Sequence, residues 1–323
     1  MRGVVIFRDD FNGGTLDRGH WDYEISMYGG MNWEFQVYVP ETRNVFTRDG
    51  SLYIKPTLTT DDPRFDESSL YNGVMDVAQI WGTCTQSANY GCHREGKYGI
   101  LPPVMSGKIK SKPTLRYGTV EVRARIPRGD WLWPAIWMLP RDNVYGGWPR
   151  SGEIDIMESR GNMYRGVGSV SSTLHWGSSP SDNHYGQTTN AKSKSGGGNW
   201  ATEFHTWKLE WTPDHLITYI DNDPIMRVYP PGGGFHQLGH IGENLWSSGE
   251  KMAPFDRDFY MIFNVAVGGT NGFFPEGVWN NKPWSNTGTT APQDFYRHKN
   301  EWYSTWHGDD VAMMIDYVEF RAL

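Results

Sequence analysis

The chain has 323 residues and a formal charge of −7 with no basic run, which argues against a nucleic-acid partner, because phosphate contacts need clustered Lys and Arg. No stretch approaches the ~20 consecutive apolar residues of a membrane-spanning helix. Trp, Tyr and Phe make up 15% of the chain, so part of this set is expected to line a groove that stacks on flat apolar ligand faces.

Thirty-eight glycines and nineteen prolines suit many short strands joined by tight turns. No linker-like run or internal repeat divides it, so residues 1–323 are expected to form one domain, with a monomer as the default. The opening Met1-Arg2-Gly3 shows no apolar leader, so Met1 is expected either to follow a removed leader or to have been added at the start of the chain.

In chain order, Val4 to Phe7 reads as a short apolar strand, and Arg8-Asp9-Asp10-Phe11-Asn12-Gly13-Gly14 turns out of it. Trp33, Glu34 and Asn44 precede a strand at residues 51–55; by residue type alone Asn44 is a turn former or a polar contact. Residues 61–107 read as a long irregular insertion that walls one end of a cleft. It contains both cysteines, Cys84 and Cys92. A metal pair would lack further ligands nearby, and an even count at short spacing predicts a disulfide closing an Ω-like loop, hence an oxidising compartment and secretion.

Residues 119–126 alternate cleanly, with Val120, Val122, Ala124 and Ile126 on one face and Glu121, Arg123 and Arg125 on the other. That is a half-buried antiparallel strand with Arg123 on its exposed side. Trp131, Trp133 and Trp137 follow; Trp133 and Trp137 share parity, but Pro134 argues against a regular central strand throughout.

Next comes Ser151-Gly152-Glu153-Ile154-Asp155-Ile156-Met157-Glu158-Ser159. Acids alternating with isoleucines mark a strand with Glu153 and Asp155 on one face. Glu158 breaks the parity, and one extra residue at Met157, a β-bulge, would return it to that face. Crowded carboxylates drive their pKa values apart, so one stays protonated while another is ionised. Retaining glycoside hydrolysis needs such a pair roughly 5–5.5 Å apart. A calcium site or an acidic edge strand is the alternative on this pattern alone.

His175 lies on a probable neighbouring strand. Residues 192–198 read as a low-complexity surface loop. Residues 206–211 and 216–221 form a hairpin about Thr212-Pro213-Asp214, and residues 259–267 a strand covered on both faces and interrupted by Asn264. The Asn264 amide is either satisfied internally or reaches the cleft. Residues 272–306 read as another loop wall, and residues 313–320 as the closing strand.

Trp133-Pro134-Ala135-Ile136-Trp137-Met138-Leu139-Pro140 leading into Gly152-Glu153-Ile154-Asp155-Ile156-Met157-Glu158 resembles glycoside hydrolase family 16, in its bulged laminarinase branch. Tyr117-Gly118-Thr119-Val120-Glu121-Val122-Arg123-Ala124-Arg125, Thr173-Leu174-His175-Trp176-Gly177, Phe263-Asn264-Val265-Ala266-Val267-Gly268-Gly269 and Ile315-Asp316-Tyr317-Val318-Glu319-Phe320 extend the likeness along most of the chain. Tyr98-Gly99-Ile100-Leu101-Pro102-Pro103-Val104 is similar to animal β-1,3-glucanases and the related β-1,3-glucan recognition proteins.

The resemblance implies a β-jelly-roll sandwich with a concave substrate cleft and a polysaccharide, β-1,3-glucan, as partner. It implies Glu153 as nucleophile, Glu158 as acid/base, Asp155 between them and His175 tuning the carboxylates. Asn44 and Asn264 are implied to reach the sugar. Sugar stacking on Trp133 or Trp137 is expected beside such a site. A structural calcium held by Asp10, Gly50 and Asp316 is also implied; the oxygen-rich set suits that ion. Recognition proteins usually lack one or both glutamates, and this chain keeps both. The expectation is a secreted endo-β-1,3-glucanase that needs no cofactor for its chemistry, with a non-catalytic glucan recognition protein or a transglycosylase as alternatives.

Overall fold

The computed structural model describes residues 3–323, so Met1 and Arg2 lie outside it. Strand alternation builds two large antiparallel sheets. The first runs Asp223–Val228, Leu216–Ile220, His205–Trp211, Gly118–Arg125, Met313–Ala322, Ser51–Ile54, Val45–Arg48, with Val4–Asp9 also paired to Met313–Ala322. The second runs Thr189–Ser193, Ser169–His175, Glu153–Ser159, Leu132–Pro140, Phe259–Val267, Lys108–Leu115, Trp21–Tyr23. This is the expected all-β sandwich.

The core lies between the sheets. Val120, Val122 and Ala124 of the first sheet pack in one cluster with Ile154, Ile156 and Met157 of the second, all fully buried. Burying each of the Val, Ile and Met side chains is worth roughly 1.5–3 kcal/mol, so this face fixes the register of the acidic strand. The acids must then face away from the core.

Several expectations need correction. Pro134 does not interrupt its strand, because Leu132–Pro140 is continuous and central. Its ladder with the acidic strand begins only at Ala135, so the missing proline N–H falls beyond the end of that pairing. Lys192 and Ser193 belong to an edge strand and not to a loop. The insertion at 61–107 is ordered: it holds the helices Glu67–Asn72 and Val77–Trp81 and a satellite core including Leu70, Met75, Val77 and Leu101. Within 272–306, Ala291–Arg297 and Lys299–Trp302 are helices, anchored where Phe295 stacks on Trp302 at 4.3 Å between ring centroids. Among the described residues no helix is long and apolar enough to cross a membrane.

Candidate active site

The bulge exists, one residue earlier than the sequence suggested. Ile136 pairs with Met157 and Trp137 with Asp155, which leaves Ile156 as the extra residue. Against the other neighbour, Asp155 faces Thr173 and Glu158 faces Ser171, so three steps on the acidic strand match two on its partner. The result is the one expected: Glu158 returns to the face of Glu153 and Asp155.

Each glutamate is held by an indole. Trp133 Nε1–H donates to Glu158 Oε2 at 2.9 Å, and Trp148 Nε1–H donates to Glu153 Oε1 at 3.0 Å. Between them Asp155 is buried and in hydrogen-bonding reach of both glutamates. Burial, then the charges of Glu153 and Glu158, push its carboxyl well above the usual range, which favours the acid form. Burial also raises Glu158, against the opposing Trp133 bond. A carboxyl raised by burial and still half-open to solvent is suited to donate a proton.

His175 faces Glu153 across the ladder. Its Nε2 lies 2.9 Å from Asp155 Oδ2 and 3.4 Å from Glu153 Oε2. The structure therefore brings Glu153, Asp155, Glu158 and His175 together, as the sequence implied.

The expected sugar contacts fare differently. Trp137 is half-buried on the same face, with the Lys108 ammonium 5.1 Å from its ring centroid. Trp133 is buried, and one face of its ring stacks on Phe273 at 4.0 Å. Asn264 is buried with both amide ends engaged: Oδ1 accepts from Trp137 Nε1–H at 2.6 Å, and Nδ2 donates to the Tyr38 hydroxyl at 3.1 Å. It supports Trp137 and is not free for sugar. Tyr38 in turn donates to Glu34, extending one chain of hydrogen bonds along the site.

Asn44 is a correction. It is fully buried, and its Nδ2 donates to Lys55 O, Thr57 Oγ1 and Met105 O. It ties the edge of the first sheet to the neighbouring short strands, out of reach of any ligand.

Of the residues named for calcium, Asp10 pairs with Arg8 at 2.8 Å and Asp316 with Arg123 at 3.1 Å, both pairs exposed, while Gly50 sits in a turn at φ +75°. The cysteine expectation holds, with Cys84 and Cys92 joined.

Sequence reasoning missed Trp148, Asn183, Tyr185 and Phe273. The Asn183 side chain touches His175, the Tyr185 ring lies 5.3 Å from it, and Phe273 backs Trp133. Trp148 and Phe273 sit in loops, Asn183 in a two-residue strand and Tyr185 in a single 3-10 turn, where no periodicity points inward. Trp148, only five residues before Glu153, carried the one usable signal: an aromatic beside an acidic strand.

The profile of glycosyl hydrolases family 16 matches residues 77–251. The chain is 46% identical to a β-1,3-glucan-binding protein of Penaeus monodon, over 97% of this chain and 89% of that protein. The chain belongs to glycosyl hydrolase family 16. Within the family it is also 34% identical to β-1,3-glucan-binding protein 1 of Galleria mellonella, where it covers all of this chain but 64% of the relative's length. The glucan endo-1,3-β-glucosidase A1 of Niallia circulans is 35% identical over 82% of this chain and 34% of that protein. In fold, the laminarinase of Rhodothermus marinus superposes with a TM-score of 0.63 at 24% identity, over 99% of this chain and 98% of that one. The sandwich is thus the jelly roll of this family's laminarinases.

Proposed function

We propose that the protein is a secreted, retaining endo-hydrolase of β-1,3-glucosidic bonds in glucans such as laminarin. The observation that carries this reading is the bulge, which gathers Glu153 and Glu158 around the buried Asp155 and leaves each glutamate tethered by an indole N–H. The family supplies the reaction class, and the glucosidase and glucan-binding relatives supply the substrate class.

Glu153 attacks the anomeric carbon as the glycosidic C–O bond breaks, and Glu158 gives its proton to the departing oxygen. Glu158, now a carboxylate, takes a proton from the water that displaces Glu153 from the sugar. Two inversions retain the configuration and return both residues to their starting states. Asp155 donates toward the glutamates and keeps a second negative charge out of the nucleophile's surroundings. The joined Cys84 and Cys92 suit an extracellular setting.

Incubation with laminarin and chromatography of the products over time tests the reading. A ladder of short oligosaccharides is expected. The names of several relatives favour a second reading, glucan binding without turnover; laminarin bound but uncut would establish it. Products longer than a short starting oligosaccharide would mean transfer to sugar in place of water.

A further inference from the structure

One histidine and two carboxylates converge in this site: single ligand atoms of Glu153, Asp155 and His175 lie within 4.8 Å of one another. That donor set is one a divalent transition metal accepts. Whether it acts as a metal site or as a hydrogen-bonding site depends on which ring nitrogen of His175 carries the proton, since a metal takes the bare lone pair of Nε2.

We infer that Asn183 is a positioning residue that holds the His175 proton on Nε2, which makes the cluster a hydrogen-bonding relay and closes it to metal. Asn183 Nδ2 lies 2.9 Å from His175 Nδ1. The amide cannot be turned over. Its Oδ1 accepts from the backbone N–H of Trp176 at 3.3 Å and of Tyr185 at 3.2 Å, and those groups only donate. The nitrogen end therefore faces the ring, and Nδ1 must meet it with a lone pair. The proton is left on Nε2, which points at Asp155 Oδ2 and Glu153 Oε2.

The device is local in sequence. The strand carrying His175 turns through a short hairpin in which Gly177 pairs with Asn183, returning that side chain beside the ring. A backbone bond from His184 N to Trp176 O at 2.8 Å pins the return. A metal on Nε2 would require the proton on Nδ1, against the amide hydrogens of Asn183.

This inference rests on the proposed reaction only for its catalytic consequence; the tautomer can be read without turnover. Long-range 15N–1H correlation spectra of protein with 15N-labelled histidine, with His175 assigned by its loss in His175→Gln, report the tautomer. The Nε2–H pattern is expected for the unaltered protein and the Nδ1–H pattern for Asn183→Asp, whose carboxylate accepts where the amide donated. Zinc titration by calorimetry should then show a site in Asn183→Asp that is at least about tenfold tighter than in the unaltered protein, the scale on which partners of a ligating histidine act. That site should vanish in Asn183→Asp/Asp155→Asn, which separates it from surface zinc binding. A Nδ1–H pattern in the unaltered protein overturns the inference, as does equal zinc affinity of this cluster in both proteins. Should Asn183→Asp not fold, the spectrum of the unaltered protein decides alone. Failure of laminarin hydrolysis with the Nε2–H pattern intact would count against the proposed reaction and leave this inference standing.

Discussion

Trp133 donates its indole N–H to Glu158 Oε2 at 2.9 Å, while Phe273 stacks on the same ring and fixes its plane. The bond favours the carboxylate form and opposes the rise that burial imposes on Glu158. Trp133→Phe keeps a stacking ring and removes the donor, so the Glu158 pKa should rise further. A proton donor with a higher pKa stays protonated to higher pH. The alkaline limb of the kcat/KM profile on laminarin should therefore move upward. A limb that stays in place or moves down would show that Glu158 is not the group that limits activity there.

Glu153→Gln and Glu158→Gln keep size and polarity but remove the proposed nucleophile and the proposed proton donor respectively. Each should lower kcat on laminarin by at least about 10²–10⁴-fold, the usual contribution of such groups, with the fold intact by circular dichroism. Near-normal turnover in either variant would remove its assigned role.

Asp155 yields a prediction of opposite sign for stability and activity. Its carboxyl is raised well above the usual range, chiefly by burial and then by its two acidic neighbours. Between the unfolded value, about 3.9, and the raised folded value, the folded chain binds the extra proton, so stability falls as pH rises through this window. Asp155→Asn is neutral throughout and escapes that loss. Its melting temperature should exceed the unaltered protein's near pH 7, and the gain should shrink toward pH 4. Laminarin turnover should fall, because the amide neither shares a proton with the glutamates nor keeps the carboxyl's geometry. Site carboxylates commonly carry such a trade of stability for activity.

The legible parts of this molecule are those where period and chemistry coincide. Residues 119–126 and the acidic strand alternate in step with the pleat, so their inward faces, and the need for a bulge before Glu158, follow from parity alone. The bulge was placed one residue late because Ile156 and Met157 are both apolar, and nothing in their side chains says which leaves the ladder. Asn183 was invisible because its role depends on a short hairpin folding back on His175. Asn44 shows the limit of carrying a role over by position: the local sequence can match while the side chain is buried and bonded internally.

Asn44→Ala separates a structural role from a sugar contact. The side chain is fully buried and its two amide hydrogens are shared among Lys55 O, Thr57 Oγ1 and Met105 O, so its removal takes the donor from at least the buried Met105 carbonyl. Leaving buried acceptors unpaired costs about 1–3 kcal/mol. The melting temperature should fall while KM for laminarin, measured well below it, stays unchanged. A raised KM at unchanged stability would restore the ligand contact that the family likeness implied.

The loop closed by Cys84 and Cys92 docks on the segment that leads to Glu34. The two cysteines are 8 apart in sequence, and the segment they close docks through Asn89 Nδ2 on Gly30 O at 3.3 Å. Arg94, just beyond it, donates to Met27 O at 2.9 Å. The turn so held leads directly to Trp33 and Glu34, and Glu34 ends the hydrogen-bond chain that runs through Tyr38 and Asn264 to Trp137. For so short a loop the unfolded-chain entropy removed is worth about 2–3 kcal/mol. Cys84→Ser/Cys92→Ser should lose stability on that scale in denaturant titrations. KM for laminarin should rise more than kcat falls, since the segment that loosens is linked through that hydrogen-bond chain to Trp137 and not to Glu153 or Glu158. A variant with normal KM at reduced stability would confine the disulfide to the fold and uncouple the insertion from the cleft.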